Sequence, residues 1–261
     1  MFDFHTHSSV SFDSICPAAE MIAAAEAVGL HEICFTDHYD YNDVPTLKHD
    51  LFALEDYRRA YDALTSDRVK IRRGVEFGLT PWNTAERAAF LASYPFDFVI
   101  GSVHSVGGTD PYYPEFWETC SMDAAYERYV LQTLECVKAH EGFDVLGHIN
   151  YVCKSPSSPI KKPLYYREFP DLFDEIMKVL VSKGIGMEIN TSGINAIGEL
   201  LPSLDYLKRF RELGGEIVTV GSDAHNAERV GQNVDKALEV AKEVFGYVCT
   251  FENRKPIFHK L

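Results

Sequence analysis

The chain lacks the cysteine spacing of a disulfide framework or a zinc finger. Its six cysteines, Cys16, Cys34, Cys120, Cys136, Cys153 and Cys249, include no C-x-x-C pair, so reduced thiols in the core or on the surface are expected. No apolar run approaches the roughly 18 residues that cross a bilayer, and no membrane-spanning helix is expected. Met1 to Ser14 begins with an acid and two histidines instead of a basic segment followed by an apolar stretch. That is not the pattern of a secretory signal, and a cytoplasmic location is the default expectation. No low-complexity linker, repeat or heptad seam interrupts the sequence, and the oligomeric state is left open. Positive charge is in deficit: 25 Lys+Arg stand against 39 Asp+Glu, a formal net charge of −14. Binding of duplex nucleic acid through the whole surface is thereby disfavoured, because it depends on Lys and Arg neutralising phosphates. An anionic substrate is disfavoured by the same sum, although most of the acids are expected simply to keep the surface soluble.

What is present is a core-forming composition, with 46% hydrophobic and 13% aromatic residues among 261. Disorder and collagen-like repeats are excluded. At roughly 150 residues per domain the length allows two domains, but single α/β barrels commonly run to about 250. One domain over residues 1–261 is the simpler reading, because β-like runs alternate with helix-like stretches from end to end. The strand candidates are Met1–His5, Glu32–Thr36, Val69–Phe77, Phe96–Val103, Phe143–Gly147, Gly186–Asn190 and Glu216–Gly221, with a last one near Tyr247–Phe251. Helices are expected at Pro17–Val28, Leu47–Thr65, Thr84–Ala92, Asp123–Ala139, Phe169–Lys183, Ser203–Leu213 and Ala227–Phe245, where apolar residues recur every three or four positions. Several stop at a glycine suited to a left-handed cap: Gly29, Gly184 and Gly214. Repeated strand–helix units require right-handed crossovers and a mostly parallel sheet, and about seven of them fit a closed barrel better than an open sheet. The long loops Ser105–Ser121 and Asn150–Tyr166 are candidates for function.

The chemistry-bearing residues fall at strand ends. Residues i and i+2 of a strand share a face, so His5 and His7 can ligate one ion. Asp37-His38 follows the second strand candidate; Glu76 and His104 close the next two, and His148 follows the fifth. Asp223 and His225 repeat the i, i+2 arrangement after Gly221. In a barrel all these ends meet on one rim. His31, His49, His140 and His259 lie elsewhere and read as packing or surface residues. A His/Asp/Glu cluster without cysteine suits Zn²⁺, Mn²⁺ or Fe ions, and it exceeds the roughly three protein ligands of one catalytic zinc, which implies two or three metals. Such sites suit hydrolysis, especially of phosphate esters.

His5-x-His7 with Asp13, Asp37-His38, Glu76, His104, Gly147-His148 and Gly221-Ser222-Asp223-Ala224-His225 resemble, in order and spacing, the polymerase-and-histidinol-phosphatase (PHP) superfamily. Glu188-Ile189-Asn190-Thr191-Ser192-Gly193 resembles its histidinol-phosphatase branch. The resemblance implies a distorted (β/α)₇ TIM-like barrel with three divalent metal ions (Zn, Mn or Fe) at the C-terminal rim of the strands. It implies one ion on His5, His7, Glu76 and Asp223, a second on Glu76, His104 and His148, and a third on Asp13, His38 and His225. Glu76, Asp223 and His225 would be the catalytic members, and Asp37 an acid that orients a ligand. The implied reaction is attack of a metal-bridging hydroxide on a phosphomonoester, with L-histidinol phosphate as the leading substrate.

Members of that branch also hold the phosphate through arginines, expected shortly after the Gly-His pair and after the Ser-Gly turn. Here those places offer Lys154 and Asn195, and Lys lacks the two-pronged fork of Arg. Arg73, Lys161 and Lys162 are other candidates, each against a reading as solvated surface charge. Tyr112, Tyr113, Phe116 and Trp117 could stack on a substrate ring or cover the barrel mouth. The competing functions are a phosphatase or nuclease acting on nucleotides or other small phosphoesters, and a non-catalytic metal-binding regulatory protein. The sequence shows no basic stripe with interleaved aromatics for single-stranded nucleic acid.

Overall fold

The computed structural model describes residues 1–118, 121–159 and 161–261; Cys120 lies outside them. Seven parallel strands form the main sheet in the order β1 (Phe2–Thr6), β2 (Glu32–Phe35), β4 (Lys70–Gly78), β5 (Phe98–Ser102), β6 (Val145–Leu146), β7 (Gly186–Asn190) and β8 (Val218–Gly221). The ring nearly closes where β8 meets β1: Thr6 bridges Ala224, and the His7 and Asp223 amides donate to Ala224 and His5 carbonyls at 2.8 Å. A short β3 (His38–Asp40) hangs on the upper half of β4, with His38 opposite Glu76, while β2 pairs with the lower half.

Helices cover the outside: α1 (Ala18–Ala27), α2 (Leu54–Tyr61), α3 (Thr84–Ala92), α4 (Pro114–Trp117), α5 (Met122–Ala139), α6 (Pro170–Ser182), α7 (Ser192–Ile197), α8 (Leu204–Glu212) and α9 (Val234–Val244). α6 shows why they dock: Pro170 starts it, and Phe173, Ile176, Met177 and Leu180 bury one stripe. The three expected cap glycines all carry positive φ.

Two expected helices are shorter than their apolar spacing suggests. Residues 47–53 are not helical, because Asp50 bridges back to Asp40 and ties this stretch to β3; only Leu54–Tyr61 winds up. Ala227–Phe245 breaks at Gly231 and Asn233, with φ of 70° and 59°, so a short 3₁₀ turn precedes α9.

The last expected strand, β9 (Tyr247–Glu252), is not part of the ring. It forms an antiparallel hairpin with β10 (Lys255–Lys260). Phe251 and Cys249 pack with Phe4, Cys34, Phe98, Ile100 and Val145, and the Arg254 guanidinium reaches Asp144 at 2.6 Å while its amide donates to the Asp97 carbonyl. Asp97 and Asp144 immediately precede β5 and β6, so the hairpin plugs the N-terminal end of the barrel and the opposite rim is left for chemistry. Phe251 is 1% exposed with its ring 4.9 Å from that of Phe98. Phe251→Ala should cost about 3–5 kcal/mol of stability, measured by denaturant unfolding; an unchanged midpoint would show that the plug carries no stability. Cys16, Cys34, Cys136, Cys153 and Cys249 are buried, unpaired thiols, and no helix among the described residues is long and apolar enough to cross a membrane.

Candidate metal centre

β1 presents Phe4 to the lower core and His5 to the rim, although neighbours in a strand should face opposite ways. A bulge resolves this: the register with β2 shifts between Asp3 and Thr6, which re-aims the strand's upper half. His5, His7 and Glu76 are fully buried.

Glu76 stands at the centre. Its Oε2 lies 3.0 Å from His5 Nε2, 3.1 Å from His38 Nδ1 and 3.5 Å from His7 Nε2. Its Oε1 lies 3.0 Å from His148 Nε2 and 3.4 Å from His104 Nε2, and accepts from Ser102 Oγ at 2.6 Å. One buried carboxylate thus faces five imidazoles from four strand ends. Burial alone would raise its pKa, but His5, His38 and His104 hold it well below the ordinary range.

Asp223 forms the second carboxylate. Its Oδ1 is 3.4 Å from His7 Nε2 and 3.7 Å from His5 Nε2, and its backbone φ is 57°. A non-glycine residue in the left-handed region is strained, and such strain collects at functional sites. Gly221 must be glycine: a Cβ there would sit 2.2 Å from that of His5. Asp13 reaches in from the first loop, 3.0 Å from His225 Nε2 and 3.6 Å from His38 Nε2. All nine expected ligands therefore converge.

Four trios place one ligand atom each within 4.8 Å of one another: His5, Glu76 and His148; His5, His7 and Asp223; His7, His38 and His225; and His38, Asp40 and His104. His7 tests whether the cluster suits metal. Its Nδ1 is engaged with Ser11 Oγ at 3.1 Å, while its buried Nε2 has no hydrogen-bond partner. Burial, with His225 and His38 adding to it, holds this imidazole's pKa well below the usual value, so it is neutral. A neutral imidazole with an unspent lone pair aimed between two carboxylates fits a divalent cation.

Two neighbours escaped the sequence reading. Asp40 Oδ2 lies 2.8 Å from His104 Nδ1 and 3.3 Å from His38 Nδ1. Glu188 Oε1 lies 2.5 Å from His5 Nδ1, and its Oε2 accepts from the His148 amide at 2.9 Å. Such carboxylate partners fix the tautomer and aim of a ligating histidine. Glu188 lies on the inner face of a strand, and that placement is the signal the sequence offers for it; Asp40 offers none, since β3 is only three residues long. Asp37 touches no expected ligand side chain. It accepts from Ser8 N, Ser11 Oγ and Tyr61 Oη, and so acts on His7 through Ser11.

The substrate-side residues divide. Lys154 is partly buried in the site, its Nζ donating to Asp223 Oδ2 and Ser192 Oγ. Asn195 lines the cavity but gives its amide to Gln232 at 2.7 Å. Arg73 is corrected: three positions before Glu76 it faces out of the barrel, and its guanidinium donates to the Tyr61 carbonyl. Lys161 bonds the Ser155 carbonyl and Lys162 pairs with Glu168, so neither reaches the centre. The centre opens into a cavity of about 470 Å³, lined also by Phe12, Tyr112, Tyr113 and Tyr151. Phe116 is buried in the core, and Trp117 Nε1 donates to the Pro111 carbonyl at 2.8 Å.

Residues 3–192 match the PHP domain family. Over 97% of its length the chain is 33% identical to the histidinol-phosphatase of Lactococcus lactis, covering 95% of that protein. It is also 33% identical to a Clostridium acetobutylicum protein named "Probable histidinol-phosphatase", covering 99% of this chain and 96% of that one. The fold superposes with a TM-score of 0.89 on the crystal structure of the Lactococcus lactis histidinol phosphate phosphatase complexed with zinc, L-histidinol and phosphate, at 32% identity and 98% coverage of both chains. With its ligand-type side chains gathered at the rim of a parallel barrel, the chain belongs to the PHP family, in its histidinol-phosphatase branch.

Proposed function

We propose that this protein is a metal-dependent phosphomonoester hydrolase whose substrate is L-histidinol phosphate, working with three divalent ions drawn from Zn²⁺, Mn²⁺ and Fe. The observation that carries the reading is Glu76, a buried carboxylate whose two oxygens each face a separate set of imidazoles. That is the arrangement a bridging carboxylate needs. His5, His7, Glu76 and Asp223 would hold one ion, Glu76, His104 and His148 a second, and Asp13, His38 and His225 a third. The similarity to a phosphatase solved with zinc, L-histidinol and phosphate supports the substrate.

Divalent ions bound there supply hydroxide near neutral pH and neutralise charge on phosphoryl oxygens. The chain's own groups prepare the site. Glu188 holds His5 by Nδ1 and thereby turns Nε2 toward Glu76. Asp40 does the same for His104. Lys154 keeps a permanent positive charge beside Asp223, where an arriving phosphate can exchange for part of that contact. Full burial of His5, His7 and Glu76 beneath the cavity strengthens each electrostatic contact among them.

Two measurements check this reading. Phosphate release from L-histidinol phosphate by metal-loaded protein is the expected result, whereas no turnover of any phosphomonoester by protein shown to carry metal would leave a non-catalytic metal-binding protein. Glu188→Gln should weaken metal binding about 10- to 100-fold, read by titration against a competing chelator. Wild-type affinity in that variant would show that His5 is aimed by something else.

A further inference from the structure

Two permanent cations line the cavity among the described residues, Lys154 and Arg229. Lys154 is already committed to Asp223 and Ser192. Arg229 is not: its guanidinium makes no ion pair or hydrogen bond with another described residue, although 39 acids are spread over the chain. Its backbone is nonetheless held firmly. Arg229 ends the 3₁₀ turn that starts two residues after His225, and its carbonyl accepts from the Gln232 amide at 3.0 Å. Gly231 N donates to buried Asp3 at 2.8 Å, and the Gln232 carbonyl accepts from Thr191 Oγ1 at 2.6 Å. The Gln232 side chain accepts from Asn195, so Arg229 is carried on the same wall as the uncharged Asn195. Arg229 is exposed on this fixed turn, at the edge of a cavity whose acids are already engaged: Asp13 by His225, Asp40 by His104 and Asp223 by Lys154. Left free, it is available to an anion entering the cavity.

We infer that Arg229 is a substrate-binding residue that grips the phosphate, supplying from the segment between β8 and α9 the fork that Lys154 and Asn195 do not. The inference rests on the phosphomonoesterase reading and adds the residue that grips the dianion. Arg can meet two phosphate oxygens at once, which a lysine point charge cannot. Its role is binding rather than bond breaking, so its loss falls mainly on KM.

The test is calorimetric titration of metal-loaded protein with inorganic phosphate, alongside KM and kcat for p-nitrophenyl phosphate. Arg229→Gln should weaken phosphate binding about tenfold or more, the size of a lost charge-assisted contact at a solvent-accessible edge. KM should rise by a similar factor, kcat should fall by less, and metal content should match wild type. Arg229→Lys should restore part of the affinity, which a merely structural role would not do. Wild-type phosphate affinity in Arg229→Gln, with metal content intact, would overturn the assignment. So would a wild-type protein that binds no phosphate. If wild type binds phosphate and Arg229→Gln does not, while neither turns over any ester, Arg229 stands and the hydrolase reading falls.

Discussion

Glu76→Gln should strip the protein of bound divalent metal and lower kcat/KM for phosphomonoesters by at least about 10³-fold. The substitution keeps size and shape and changes two things. It removes the one negative charge that His5, His7, His38, His104 and His148 share, and it replaces one acceptor oxygen by a donating NH₂ aimed at imidazole nitrogens. A bridging role cannot survive that exchange, because an amide offers one carbonyl oxygen where the carboxylate offers two. Lewis-acid stabilisation of a phosphoryl group amounts to several kcal/mol, and each 1.36 kcal/mol is a factor of ten in rate, which sets the expected scale. Metal analysis and steady-state kinetics on the same preparation check it. Retention of both metal and activity would contradict the assignment of Glu76.

The second large effect concerns substrate size. A formal charge of −14 argues against anions in general, but three divalent ions would bring about +6 to one rim. The sum then argues only against large anions. A compact phosphomonoester enters a cavity of about 470 Å³ and meets the local positive charge, whereas a long polyanion must lie across the acidic surface around it. Turnover of small phosphomonoesters should exceed that of long DNA or RNA by about 10³-fold or more, and chelation should abolish both. Comparable cleavage of a polynucleotide would show that the acidic surface does not exclude long anions.

Much of the site was legible in the sequence because a strand repeats every two residues. His5 and His7, and Asp223 and His225, could be placed on one face, and a parallel barrel brings strand ends to one rim. The rest depended on contacts between distant segments. No local pattern marks the bulge that lets Phe4 serve the lower core and His5 the rim. Asp40 lies on a three-residue strand set in place by β4, and Glu188 joins His5 across 183 positions. Residues 47–53 have helical spacing, yet the bridge from Asp50 to Asp40 overrides it. Arg73 shows the reverse error: it is near Glu76 in sequence, but an odd spacing puts its side chain on the outer face. Arg229 gave no signal because its significance lies in what it leaves unpaired.

The most direct measurement is kcat/KM for L-histidinol phosphate, nucleoside monophosphates and sugar phosphates, made on one purified preparation whose metal content has been determined. Expected are about three divalent ions per chain, a clear preference for L-histidinol phosphate, and loss of turnover on chelation that returns with added Zn²⁺ or Mn²⁺. A preference for a nucleotide, or hydrolysis that persists in metal-free protein, would contradict the proposed function.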